Sequence, residues 1–226
     1  MLKKIRNNVR ALFFLPYSLI FNFYYLPFAQ AIRLPFLFYV RPTFLSLKGN
    51  VKLAKHSGVR FGMIKLGKDI APILNKSMFR WENAGNILFH GSCIMSHHTF
   101  ISCGHEGTIE FGANSSYSFG LRIIAYDKIS FADKARISWD CTFIDTDFHS
   151  VIDMTCNKPV PMTSSIQLGY ACWVGHNVII SKGVRIPDNC IVASGSVVKS
   201  HFKQANTIIG GNLAIVIDDG YRRDDV

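Results

Sequence analysis

From Leu168 onward an aliphatic residue returns at every sixth position: Leu168, Val174, Ile180, Ile186, Val192 and Val198. Four residues after each of the first five comes a small or β-branched residue: Cys172, Val178, Val184, Cys190 and Ser196. A helix repeats at about 3.6 residues and a single long strand at about 2.0, so neither carries this beat. A chain that makes a short strand, turns a corner and starts the next strand does. Three such hexads close one coil of a triangular prism, and stacked coils form a parallel β-helix.

The same beat runs upstream with interruptions. Phe131, Ile137 and Phe143 keep the step, with Ala135 and Cys141 as small partners; Phe111, Tyr117 and Ile123 form another set, and Phe89, Met95 and Ile101 a third, with Cys93 and Thr99. The gaps from Ile101 to Phe111 and from Ile123 to Phe131 predict short corner bulges. The gap from Phe143 to Leu168 predicts a true loop over 149–167, which contains Pro159 and Pro161. Solenoid insertions land on the outside at a corner, where binding surfaces are built.

Residues 1–43 follow a different pattern. Lys3, Lys4, Arg6 and Arg10 precede a stretch from Ala11 to Ile32 with no formal charge, rich in Phe, Leu and Tyr. Its length allows a membrane span; Pro16, Pro27, Ser18, Asn22 and Gln30 break both helix and hydropathy. Two short apolar helices that cap the first coil or pack on a neighbouring subunit fit the composition. So does peripheral contact of residues 1–35 with a membrane surface, where basic residues beside Phe, Tyr and Leu are at home. The division that follows is an apolar, partly helical extension over 1–43, an all-β solenoid over 44–217 and a tail over 218–226.

Charge narrows the partners. The 226 residues carry a formal +10, which favours anionic partners such as a phosphorylated cofactor, a lipid phosphate or an anionic membrane face. No reading helix and no basic–aromatic stripe is present, so nucleic acid is not an expected partner. Cys93, Cys141, Cys172 and Cys190 fall at the small inward hexad position, where a free thiol acts as a small hydrophobe. With no cleavable secretory signal, a reducing, cytoplasmic setting follows.

Candidate chemistry centres on Asp145-Thr146-Asp147-Phe148-His149, where the regular hexads stop. A histidine is the natural general base near neutral pH. Asp145 or Asp147 is placed to orient its ring and stabilise the imidazolium, and spacing does not choose between them. His176, in Gly175-His176-Asn177, reads on its own as a turn residue. His90, His97, His98 and His105 crowd one early region near Cys93 and Cys103, yet match no zinc spacing, so no metal is expected. Lys182, Arg185, Lys199 and Lys203 suit either phosphate contacts or a solvated face.

From Phe131 to Ile217 the chain resembles the hexapeptide-repeat acyltransferases, which fold as a left-handed parallel β-helix. The resemblance rests on the Asp145–His149 motif, the block from Leu168 to Asn177, the hexads to Val198 and Gly210-Gly211-Asn212. The N-terminal Phe21-Asn22-Phe23 through Leu34-Pro35 is similar to that of O-acetyltransferases of capsule or O-antigen polysaccharide. The resemblance implies a homotrimer with active sites between subunits, and acetyl-CoA in a groove beside the C-terminal coils. It implies His149 as the base that deprotonates a sugar hydroxyl, supported by Asp147 and Asp145. Trp173, Gly175, His176, Ala193, Ser194 and Lys199 match the region that lines the cofactor groove. Departures are present: Leu213 replaces a proline, Ile215 stands where a basic residue is common, Ser200 follows Lys199 where the usual lysine falls, and Pro187 and Ala193 replace corner glycines.

A zinc hydratase of the γ-carbonic anhydrase type needs two histidines five residues apart, and no pair among the eight has that spacing. A non-catalytic trimeric scaffold and an N-acyltransferase acting on an amino sugar remain as alternatives to the O-acetyltransferase.

Overall fold

A computed structural model of the chain describes residues 9–69 and 78–225; Lys3, Lys4 and Arg6 lie outside the described residues. The hexad residues pack into columns. On the third face of the prism Phe89, Phe111, Phe131, Leu168 and Ile186 lie in register on successive coils. On the second, Trp81, Ile101, Ile123, Phe143, Ile180 and Val198 do the same. On the first, Leu66, Met95, Tyr117, Ile137, Val174, Val192 and Ile209 complete the core. All of these side chains are buried. A six-residue step returns the large inward side chain to the same place on every face, and the parallel register stacks like on like, so aromatic rings meet face to face: Phe111 and Phe131 stack at 5.8 Å.

The three faces are a nine-stranded, a seven-stranded and a six-stranded sheet. The first runs from Phe36–Phe38 to Ala214–Asp219, the second from Pro42–Ser46 to Val197–Val198, and the third from Asn50–Leu53 to Arg185–Ile186. Neighbouring strands are parallel throughout except at the end of the first face, where Thr207–Gly211 and Ala214–Asp219 pair antiparallel and terminate the solenoid. The coils thus begin at Phe36, within the segment that its composition assigns to the extension.

Corners repeat as faithfully as strands. Between first and second faces the chain takes a left-handed backbone at His98, Gly120, Asp140, Asn177 and Gly195, and between third and first at Asn114, Lys134, Ala171, Asn189 and Asn206. Gly, Asn and Asp tolerate that region best. Carboxylates serve these corners: Asp133 accepts the Ala113 N–H at 2.7 Å and Asp188 the Tyr170 N–H at 2.7 Å.

The helix Leu15–Tyr25 closes the open end, followed by the short helix Phe28–Ala31. Its polar residues, unfavourable by hydropathy, are the ones that hold it there. Asn22 Nδ2 donates to the Phe36 carbonyl at 2.8 Å while Asn22 Oδ1 accepts the Phe36 N–H at 3.1 Å. Ser18 Oγ accepts the Phe38 N–H at 2.9 Å. Together they pair with a strand edge that would otherwise be bare. Phe21 seals the prism, its ring 5.2 Å from both Phe36 and Trp81; its burial contributes about 1.5–3 kcal/mol. Among the described residues no helix is long and apolar enough to cross a membrane.

The cysteines of the hexads are free and buried. Burial pushes the Cys93 and Cys172 thiols up to about 12 and the Cys141 thiol to about 11, so they remain protonated and inert.

Candidate functional site

The expected loop leaves the second face after Thr142–Ile144 and rejoins the third at Ile166–Leu168. It contains an antiparallel pair, Val151–Asp153 with Lys158–Val160, that the hexad pattern does not foretell. Polar contacts pin its base. Asp145 is buried, and its carboxylate accepts the Tyr126 N–H at 2.7 Å and the Asp127 N–H at 2.9 Å. Burial raises its pKa, and those N–H groups oppose the rise. Asp147 pairs with Lys182, which also donates to the Pro161 carbonyl, so one lysine ties both arms of the loop to the following coil. The Phe148 ring packs edge-on against Tyr126 at 5.2 Å, and the Phe148 N–H donates to Thr146 Oγ1 at 3.1 Å.

His149 stands exposed just beyond this anchor. In the single chain neither aspartate reaches its ring: Asp145 is spent on backbone N–H groups and Asp147 on Lys182. Lys199, also exposed, follows Val197–Val198 and lies on the same edge, between second and third faces.

The other expected residues occupy a different edge. Gly175 and His176 follow Trp173–Val174, and Ala193 and Ser194 follow Ile191–Val192, both at the corner between first and second faces. His176 donates its backbone N–H to Ser194 Oγ at 3.2 Å, and its ring stacks on Trp139 at 4.8 Å. Trp139 stacks on Phe119 in turn, and Phe119 on His97, each from the coil before. Trp139 was not singled out from the sequence; stepping back one coil from His176 along the corner would have found it. A Cβ on Gly175 would sit 2.7 Å from the Ser194 nitrogen, so only glycine lets these corners stack. Trp173 is 43% exposed on the first face, and its Nε1–H donates to Ser138 Oγ at 3.3 Å. Leu213 and Ile215 are exposed in the terminal hairpin.

These two groups are separated by the width of the second face, on the order of 15 Å at about 3.3 Å per residue. A groove of about 650 Å³ on the third face, bordered by Gln167, Tyr170, Arg185, Asp188 and Phe202, contains none of them. The early histidines are distributed by the same topology: His90 lies 3.7 Å from Glu110, His97 is buried beside Asp69, and His105 stands on the edge between second and third faces. Among the described residues no cluster of three or more potential metal ligands forms.

No family model matches the chain. The Escherichia coli K12 protein WbbJ, whose name assigns it to lipopolysaccharide biosynthesis as an O-acetyl transferase, is 27% identical over 197 residues, which cover 74% of this chain and 92% of WbbJ. The crystal structure of the polysialic acid O-acetyltransferase OatWY matches with a TM-score of 0.54 at 18% identity, covering 81% of this chain and 90% of that one. The polysialic acid-specific acetyltransferase NeuO matches with a TM-score of 0.52 at 18% identity, covering 84% and 86%. Six-residue repeat, stacked parallel coils and these likenesses agree, and the chain shares the fold of these O-acetyltransferases.

Proposed function

We propose that the chain is an acetyl-CoA-dependent O-acetyltransferase that acetylates a sugar hydroxyl of a surface polysaccharide, with the left-handed coil sense of its fold relatives. The observation that carries this is His149: an exposed imidazole on a solenoid edge, at the root of an insertion tied down through Asp145, Asp147 and Lys182. His149 takes the proton of the acceptor hydroxyl as the oxygen attacks the thioester carbonyl, and collapse of the tetrahedral oxyanion expels the CoA thiolate. Asp145 and Asp147 serve the base by holding its loop. The donor set suits the cofactor: an exposed indole at Trp173, a corner pared to glycine at Gly175, and an exposed cation at Lys199 for a phosphate.

His149 and the Gly175–Ser194 corner lie on different edges of one prism, so a complete site calls for two chains. A homotrimer about a threefold axis along the second face places the His149 edge of one subunit against the Trp173 and His176 edge of the next, and repeats that seam three times. A cytoplasmic position, peripheral on the inner face of the membrane, belongs to the same proposal.

The test is acetyl transfer from acetyl-CoA to bacterial oligosaccharides, with titration calorimetry of acetyl-CoA alongside. His149→Ala is expected to lose about 10²–10⁴-fold in turnover while acetyl-CoA binding persists. Undiminished transfer by His149→Ala would remove the histidine from the mechanism. Alkali-labile product would mark an ester, and alkali-stable product the amide of an amino sugar.

A further inference from the structure

The first acidic residue of the chain is Asp69, and the 68 residues before it hold twelve lysines and arginines. The whole chain carries +10, so everything from Asp69 onward sums to −2, and all the net positive charge belongs to the first 68 residues. Arg33, Arg41, Lys48, Lys52, Lys55 and Arg60 from this segment are exposed.

The same end carries apolar surface that stands exposed among the described residues. The helix Leu15–Tyr25 turns Ser18, Phe21 and Asn22 toward the prism. Its other side, with the residues before and after it, exposes Leu12, Phe13, Ile20, Phe23, Tyr24 and Phe28, of which Leu12, Phe13 and Phe28 are 70–75% accessible. Because Asn22 and Ser18 bind the first strand and Phe21 enters the core, this opposite face looks away from the solenoid.

We propose that this end is a docking face for an anionic lipid surface, on which the prism stands upright. The proposal deepens the peripheral location given above and rests on it. Apolar side chains enter the acyl boundary while the surrounding Lys and Arg side chains meet the headgroups, each cation near the surface adding about 1 kcal/mol at low salt. Charge selects lipid over a second copy: two such ends brought together would set these six exposed cations against another six. Cyclic symmetry points every docking face of a trimer in one direction, so the contacts act together.

The upright stance also constrains the acceptor. Thr142–Ile144, which leads into His149, lies four strands above Pro42–Ser46 on the second face, and Trp173–Val174 lies five above Phe36–Phe38 on the first. At about 4.8 Å per strand the site stands roughly 20–25 Å above the first coil. A sugar attached directly to a lipid phosphate does not reach that height. The acceptor hydroxyl lies several sugars out along a lipid-linked glycan.

The experiment is co-sedimentation of the full-length protein with vesicles of phosphatidylcholine alone or mixed with phosphatidylglycerol. Binding is expected to be at least about tenfold tighter to the anionic vesicles, and to weaken in roughly 0.5 M salt. The variant Leu12→Ser/Phe13→Ser/Phe28→Ser changes only exposed positions; it is expected to lose at least about tenfold in vesicle binding while acetylating a soluble oligosaccharide as wild type does. Absent binding, or equal binding to both vesicle types, overturns the proposal. So does lipid-free association of wild type that the triple variant abolishes, since the face would then belong to another copy. Vesicle binding is read without catalysis: a chain that docks but transfers no acetyl group would sink the enzymatic proposal and leave this one standing.

Discussion

His97 is 4% exposed, its Nδ1 has no partner, and its Nε2 lies 4.0 Å from Asp69 Oδ1. Burial is the largest influence and lowers its pKa below the ordinary 6.5; Asp69 works against this, and Arg10 and His98 add to it. The unfolded chain therefore binds the proton more readily than the native one. Stability from this residue is complete above about pH 6.5 and is lost as pH falls toward the depressed native value. The thermal midpoint should decline across that window, and His97→Phe, which keeps a ring over Phe119, should flatten the decline; an unchanged slope would show that other groups set it. At Gly175 the constraint is steric. Gly175→Ala puts a methyl 2.7 Å from the Ser194 nitrogen and 2.9 Å from the Val192 carbonyl oxygen, both backbone atoms that yield little. A loss of about 1–3 kcal/mol in chemical denaturation is expected, together with weaker acetyl-CoA binding as His176 is pushed from Ser194.

Among the elements, the insertion departs from the solenoid rule, and one cation ties both of its arms to the following coil. Lys182 reaches Asp147 on one arm and the Pro161 carbonyl on the other. Lys182→Met keeps the stem and removes both contacts. An exposed ion pair contributes little to global stability, within about 1 kcal/mol, so the unfolding midpoint should barely move. The acceptor KM should rise about three- to tenfold as the loop loosens, while acetyl-CoA binding stays as in wild type; a shift confined to acetyl-CoA would reassign Lys182 to the cofactor. The strands from Phe89 to Val198 were legible because each sixth residue reports one coil, and every residue named in those hexads is buried. The coil that starts at Phe36–Phe38 was hidden inside a run of Phe and Leu with no visible period, and its cap by the polar Ser18 and Asn22, whose partners are backbone groups that no hydropathy pattern displays. The hairpin Val151–Asp153 with Lys158–Val160 escaped because it carries Pro159 and exposes both Val151 and Ile152. A two-stranded ribbon outside the core accepts proline and needs no buried face.

At the scale of the molecule, position along the repeat fixes height in the solenoid but leaves the edge unstated, and the edges decide the chemistry. The His149 motif and the Gly175–Ser194 block are close in sequence, yet the second face lies between them. If each site joins the His149 edge of one subunit to the Trp173 edge of its neighbour, two kinds of inactive chain can repair one another. Chains bearing His149→Ala lack the base but keep a sound Trp173 and Gly175 edge. Chains bearing Gly175→Trp keep the base and lose the donor corner. Each alone should be inactive. Unfolded together and refolded as mixed trimers at equal amounts, about one seam in four draws its intact halves from two different chains, and about a quarter of wild-type activity should return. Separately refolded chains mixed afterwards supply the control, and should stay inactive for as long as subunits do not exchange. A mixture with no recovered activity, in trimers shown to contain both chains, would mean that one subunit builds its whole site, and that the insertion must fold across the second face to carry His149 to the Trp173 edge.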